Sequence, residues 1–147
     1  MWQNPSLPEV DMPEYKKPLP VISAINLPYW EAAKRHELML QKCNSCGKFW
    51  YPNGHMCPYC WAQDYQWSKV SGKGKVNSWV VFHQPYYEGF RDEIPYSVVQ
   101  VELEEGPRLI SSLVGVKNEN INIGMPVEVT FEDVTDEVTL PRFRPRK

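Results

Sequence analysis

Two Cys-x-x-Cys pairs constrain this chain more than anything else in it: Cys43-Asn44-Ser45-Cys46 and Cys57-Pro58-Tyr59-Cys60. The 147-residue chain has no other cysteine. Each pair can wrap one edge of an ion, and two facing pairs complete a tetrahedral four-thiolate site. Zn2+ suits it as a structural ion, because it takes four sulfur ligands and needs no open position. Two other readings compete. The same spacing serves a rubredoxin-type iron site, and four cysteines can also form two disulfides. Cysteines three apart bridge each other poorly, however, and nothing in the chain points to export. His55, two residues before Cys57, reads as a flanking residue rather than a fifth ligand.

The opening residues lack the basic and apolar regions of a signal peptide, and no apolar run approaches membrane-spanning length. We therefore expect a cytoplasmic protein, in a compartment that keeps thiolates free for metal. A net charge of −2 gives no general pull toward nucleic acid or anionic lipid. Aromatic residues make up 13% of the chain, with six Trp and eight Tyr. Such rings either fill a small core or line a ligand groove or interface, and composition leaves both open.

Three segments follow from the pattern. Residues 1–36 form an arm and a short helix. Pro5, Pro8, Pro13, Pro18 and Pro20 keep the arm extended. Its apolar residues (Trp2, Leu7, Val10, Met12, Tyr15, Leu19) predict docking on the chain's own body or on a partner. The helix is capped by Asn26, carries Pro28 in its first turn and Leu27, Trp30 and Ala33 at helical spacing, and pairs Glu31 with Arg35. It ends near Glu37, with His36 as a C-terminal charge. Residues 37–66 form the metal ribbon, with a strand over Leu38–Lys42 and a tight turn at Gly47. It is too small to bury a core, so metal must supply much of its folding free energy, on the order of 10 kcal/mol.

Residues 67–147 read as strands: Val76–His83, Ser97–Glu104, Arg108–Val116, Met125–Glu132 and Val138–Phe143. The second alternates cleanly, with Val99, Val101 and Leu103 inward. Five short strands predict a small closed barrel, either an OB-fold or an SH3-like barrel.

Catalytic motifs are missing: no Gly-x-Ser-x-Gly, His-Glu-x-x-His, Walker A or dinucleotide fingerprint occurs. A closed thiolate site leaves no water position for hydrolysis. Binding candidates remain. The loop from His83 to Tyr96 is long and aromatic, and Trp79, His83, Tyr86, Tyr87 and Phe90 in or beside it are candidate ligand or partner contacts. Gly72-Lys73-Gly74-Lys75 is either a plain turn or a phosphate cradle using Lys73 and Lys75. The basic tail 141–147 offers Arg142 and Arg144 to phosphates, to RNA or to an acidic partner patch.

The ordered set is more specific than its parts. Tyr29-Trp30-Glu31 leads into Leu40-Gln41-Lys42-Cys43-x-x-Cys46-Gly47. Cys57-Pro58-x-Cys60, Trp67, Ser71-Gly72-Lys73-Gly74, Ser78-Trp79-Val80-Val81, Pro95-Tyr96, Leu113-Val114-Gly115 and Gly124-Met125-Pro126-Val127 follow in turn. From about residue 26 onward this resembles the zinc-ribbon/OB-fold acyl-CoA-associated family, formerly a domain of unknown function. The resemblance implies a mainly β chain with an N-terminal helix, a rubredoxin-like zinc ribbon and a five-stranded OB-fold barrel. Its metal positions match Cys43, Cys46, Cys57 and Cys60. It also implies a role as a non-catalytic, acyl-CoA-binding accessory or scaffold subunit. The partner would be a thiolase-superfamily enzyme: an acetyl-CoA acetyltransferase, a hydroxymethylglutaryl-CoA synthase or a thiolase-like aldolase. The alternatives are a nucleic-acid-binding module, which the basic tail would serve, and a rubredoxin-like electron carrier.

Overall fold

A computed structural model describes residues 15–146. The arm residues Trp2, Leu7, Val10 and Met12 lie outside the described part.

Helix α1 (Leu27–Lys34) is followed by β1 (Met39–Cys43), β2 (Phe49–Trp50) and β3 (Tyr65–Lys69), which form an antiparallel sheet in the order β2-β1-β3. A second sheet holds β4 (Lys73–Phe82), β5 (Tyr96–Leu103), β6 (Arg108–Ser111), β7 (Pro126–Asp133) and β8 (Thr139–Pro145), in the order β6-β5-β4-β7-β8. This sheet curls until its two edges meet. Leu113, just past β6, bridges Phe143 of β8 in parallel. The Val114 N–H donates to the Phe143 carbonyl at 2.8 Å, and the Phe143 N–H donates to the Ser112 carbonyl at 3.1 Å. That strand order with a parallel closure is the OB-fold, and it decides against the SH3-like alternative. β3 runs through residue 67, so the ribbon sheet and the barrel share one continuous stretch of chain.

The alternation expected for β5 is present: Val99, Val101 and Leu103 are buried. They join one core with Val76, Leu109, Val127 and Phe143 from the barrel, Leu38 and Leu40 from the ribbon, and Tyr29 from α1. Ribbon, helix and barrel therefore bury a common apolar surface. The ribbon adds a small cluster of its own, in which Cys43, Trp50 and Cys57 are buried against Ala62 and Tyr65.

Several local expectations change. Asn26 stands at the N-cap position but makes no capping bond. Its side-chain oxygen accepts the Ser23 N–H at 2.6 Å and its amide donates to the Val21 carbonyl at 3.0 Å, bracing the arm instead. Arg35 does not reach the Glu31 carboxylate. It donates to the Glu31 carbonyl and pairs with Glu37 at 3.7 Å. His36, at φ 61, leaves the helix, stacks on Phe131 with centroids 5.3 Å apart, and contacts Asp133 at 3.1 Å. The strand expected over Arg108–Val116 stops at Ser111.

Two binding candidates also change character. Lys73 and Lys75 are strand residues, opposite Glu128 and Pro126 on β7. Gly74 is needed for close packing: a Cβ there would sit 2.5 Å from the Glu102 carbonyl oxygen and 3.0 Å from Val101 Cγ1. Residues 73–75 are thus the start of β4 rather than an open turn. The segment read as a basic tail is β8, so Arg142 and Arg144 lie in a sheet paired with β7.

Gly74→Ala should destabilise the barrel by about 1–3 kcal/mol, as overpacking does. A urea midpoint at or above the wild-type value would show that the β4–β5 approach is looser than described.

Candidate metal centre and aromatic groove

The four sulfurs meet at the tip of the ribbon, all within 4.8 Å of one another. Cys43 Sγ lies 3.5 Å from Cys60 Sγ, and Cys46 Sγ lies 3.7 Å from Cys57 Sγ. A tetrahedral ion with metal–sulfur bonds of about 2.3 Å needs sulfur–sulfur edges of about 3.8 Å. The donor set and its spacing fit a structural Zn2+.

The two knuckles are near copies. In the first, the Gly47 N–H donates to the Cys43 carbonyl (3.0 Å) and the Cys43 N–H donates to the Lys48 carbonyl (2.9 Å). In the second, the Trp61 N–H donates to the Cys57 carbonyl (2.9 Å) and the Cys57 N–H donates to the Ala62 carbonyl (2.9 Å). The residue after the second cysteine is left-handed in both, Gly47 at φ 76 and Trp61 at φ 64. In each pair one sulfur is buried (Cys43, Cys57) and one exposed (Cys46, Cys60). Backbone N–H groups of Cys46 and Ser45 reach Cys43 Sγ at 3.4 and 3.3 Å and hold its thiol down to about 7, against the opposing effect of burial. The Ala62 N–H pulls Cys60 the same way, but the neighbouring thiols, Cys43 first, outweigh it and push Cys60 up to about 11. Four thiols this close cannot all ionise without a cation, and a divalent ion supplies that charge. His55 is exposed and outside the sulfur cluster, as expected.

Gln41, which the sequence reading did not single out, holds the stretch between the knuckles. It is fully buried on β1, donating from Nε2 to the Gly54 carbonyl at 2.7 Å and accepting the Gly54 N–H at 2.9 Å. Its amide satisfies a backbone donor and acceptor that have no strand to pair with.

Beside the ribbon, a groove of about 670 Å³ opens between the arm, α1, the loop before β5, and the β6–β8 edge. Tyr29, Trp30, Tyr51, Phe90 and Tyr96 line it, with Arg142 among its polar groups. Phe90 stacks on Tyr96 (4.8 Å), which stacks on Phe82 (5.3 Å). Lys17 clamps the arm over this ladder, its ammonium 2.6 Å from Glu93 and 5.2 Å from the Phe90 ring centre. The loop is ordered, with a 3-10 turn over Glu88–Glu93. Burial raises the pKa of both Tyr29 and Tyr51, so their phenols stay neutral. The buried indole Nε1 of Trp30 has no partner among the described residues.

Of the sequence candidates, the structure brings only Phe90 and Arg142 to this groove. Trp79 packs against the main core. Tyr86 and Tyr87 are exposed on the loop, Tyr86 edge-on to Phe82. His83 is exposed. Lys75 lines a separate hollow beside Glu102 and Arg146, and Lys73 is exposed nearby. Arg144 pairs with Glu128 at 3.0 Å, and Arg142 pairs with Glu132 while donating to Ser112 Oγ at 2.9 Å. The groove aromatics Tyr29, Tyr51 and Tyr96 were missed as a set because they come from three distant stretches of chain.

The purified chain should carry one zinc, measured by elemental analysis. Cys46→Ser, or a strong chelator, should melt the β1–β2–β3 sheet, read by Trp50 fluorescence; ribbon structure that survives metal loss would contradict the assignment. Gln41→Leu should cost the ribbon about 1–3 kcal/mol for each Gly54 group left unpaired, read as a lower zinc-loaded melting point.

Residues 30–66 match the ChsH2 rubredoxin-like zinc ribbon domain, and residues 67–132 match the ChsH2 C-terminal OB-fold domain. The chain is 41% identical over 133 residues to a probable enoyl-CoA hydratase alpha subunit of Thermomonospora curvata, covering 90% of this chain but only 41% of that relative. It thus spans less than half of that protein. It is 39% identical over 105 residues to a DUF35 domain-containing scaffold protein of Methanothermobacter thermautotrophicus, covering 71% of this chain and 78% of the relative. The solved structure titled Ltp2-ChsH2(DUF35) aldolase superposes with a TM-score of 0.78 at 40% identity, over 86% of this chain and 98% of that one. The chain belongs to the ChsH2/DUF35 family of zinc-ribbon and OB-fold proteins.

Proposed function

We propose that this chain is a non-catalytic accessory subunit of a thiolase-superfamily enzyme and helps complete that enzyme's acyl-CoA site. The aromatic groove carries the reading. An acyl-pantetheine arm is long and largely apolar, with amides along it and anionic phosphates at one end. A groove walled by Tyr29, Trp30, Tyr51 and Tyr96 matches the apolar part. One relative is named a benzoylsuccinyl-CoA thiolase subunit and a matching solved structure is titled an Ltp2-ChsH2(DUF35) aldolase, which supports such an enzyme as the owner of the chemistry.

The chain's own groups favour binding over catalysis. Its cysteines are spent on metal, and its groove phenols are held neutral. The nucleic-acid alternative loses its main support, because Arg142, Arg144 and Arg146 pair with Glu132, Glu128 and Glu104. Those pairs tie up the basic stripe that would track a phosphate backbone. The acetyl-transferring, synthase and aldolase classes all remain within the proposal, as does the acyl group.

Co-expression with the source cell's thiolase-like protein should give a stable complex whose thiolytic or aldol activity on acyl-CoA falls when this chain is omitted. Within that complex, Tyr96→Ala should raise the acyl-CoA KM by roughly tenfold, the loss of one aromatic contact of about 1.4 kcal/mol. A thiolase-like protein that is fully active and unassociated without this chain would refute the proposal.

A further inference from the structure

The duplicated knuckles contain their own control. Gly47 and Trp61 occupy the same place: each follows the second cysteine of its pair, each donates its N–H to the first cysteine's carbonyl, and each is left-handed. Glycine adopts that conformation freely, whereas any L side chain there costs about 1–2 kcal/mol. Local folding therefore favours glycine at both positions, yet the second carries tryptophan.

The indole does not recover the cost within the chain. Trp61 is 77% exposed. Among the described residues it packs against no other ring, whereas Trp30 and Trp50 meet Tyr29 and Tyr65 edge-on. Its neighbours on the ribbon tip are also exposed and apolar, Tyr59 at 57% and Met56 at 45%. Backbone strain kept at an exposed aromatic residue points to use outside the fold. The left-handed turn and the metal together fix where the indole stands, so little freedom is lost when something covers it.

The charge around the patch describes what covers it. No Asp or Glu occurs between Glu37 and Asp64, while Lys42 and Lys48 fall in that stretch. The Lys48 ammonium sits 4.7 Å from the centre of the Tyr59 ring. The tip thus offers aromatic and thioether groups and two cations, while the Asp64 carboxylate at the first knuckle accepts from the Asn44 amide at 2.9 Å, so that residues 38–64, with Lys42 and Lys48 against Asp64, stay net positive. It complements a protein surface with an apolar slot rimmed by acidic side chains.

We propose that Trp61 is the anchor by which the zinc ribbon docks on the thiolase-like partner subunit, in an apolar slot with an acidic rim. This rests on the accessory-subunit reading above, and adds to it the surface, the residue and the chemistry of the facing site. Tryptophan is among the residues that carry most of an interface's affinity. Metal loading and partner binding are then linked, because the ion holds the knuckle that presents the indole.

The test uses the zinc-loaded chain and the thiolase-like subunit co-expressed with it, comparing wild type, Trp61→Gly, Trp61→Asn and Lys48→Glu by titration and by melting of the free chain. Glycine at 61 relieves the strained turn, so Trp61→Gly should melt no lower than wild type while binding the partner about 30-fold more weakly. Trp61→Asn, which also tolerates the left-handed turn, should lose affinity to the same degree. Lys48→Glu should weaken binding about fivefold or more at low salt, and less at high salt. If wild type forms the complex and Trp61→Gly binds within about threefold of it, the anchor is refuted and the accessory-subunit reading stands. If wild type forms no complex, both fall. A lower melting point for Trp61→Gly would assign the indole to the fold and overturn the anchor. So would a wild-type homodimer that Trp61→Gly abolishes, and tighter binding by Lys48→Glu would overturn the acidic rim.

Discussion

Everything else in the structure hangs on one short stretch, Leu38 to Cys43. Leu38 and Leu40 sit in the barrel core at 2% and 0% exposure. Gln41 ties the stretch between the knuckles, and Cys43 supplies the first metal ligand. The strand lies between β2 and β3, so both neighbours depend on its position. Metal charge neutralisation acts at one end and apolar burial at the other, and neither suffices alone. A ribbon of this size buries too little surface to fold without an ion. The ion, in turn, would hold only a loose loop if the leucines did not fix it to the barrel.

The groove inherits that dependence. Its walls come from the arm, α1, the ribbon residue Tyr51, the aromatic loop and the β6–β8 edge. α1 is an eight-residue helix, too short to persist by itself, and its buried face (Tyr29, Ala32, Ala33) is what keeps it in place. The arm adds Lys17 against Glu93, and its backbone passes close to Gly89, where a Cβ would lie 2.4 Å from the Lys16 carbonyl oxygen. A ligand in this groove would therefore touch pieces whose arrangement is set jointly by metal and core.

The four-cysteine cluster, the barrel and the β5 face were legible because each follows from spacing or alternation within a few residues. What the structure adds at the other candidates has a different origin. Arg142 and Arg144 look like a solvated basic tail until the register sets Arg144 opposite Glu128 and Arg142 opposite Thr130, beside Glu132. Gln41 looks like an ordinary polar residue, since its partner lies 13 residues away and is a backbone group. Lys73 and Lys75 suggested a phosphate turn because the tight approach of Gly74 to Glu102 depends on strand pairing. Cross-strand register and side-chain bonds to distant backbone leave no local trace.

The metal centre is also unequal in its two halves. Cys43 and Cys57 face inward, while Cys46 and Cys60 meet solvent. Peroxide, or a thiophilic ion such as cadmium, reaches the outer sulfurs first. Damage would then start at the wet half of the centre, away from the barrel core, which holds no sulfur ligand but takes Leu38 and Leu40 from the ribbon. Oxidative or heavy-metal stress would strike the ribbon first and reach the groove through Tyr51 and the barrel core through Leu38 and Leu40.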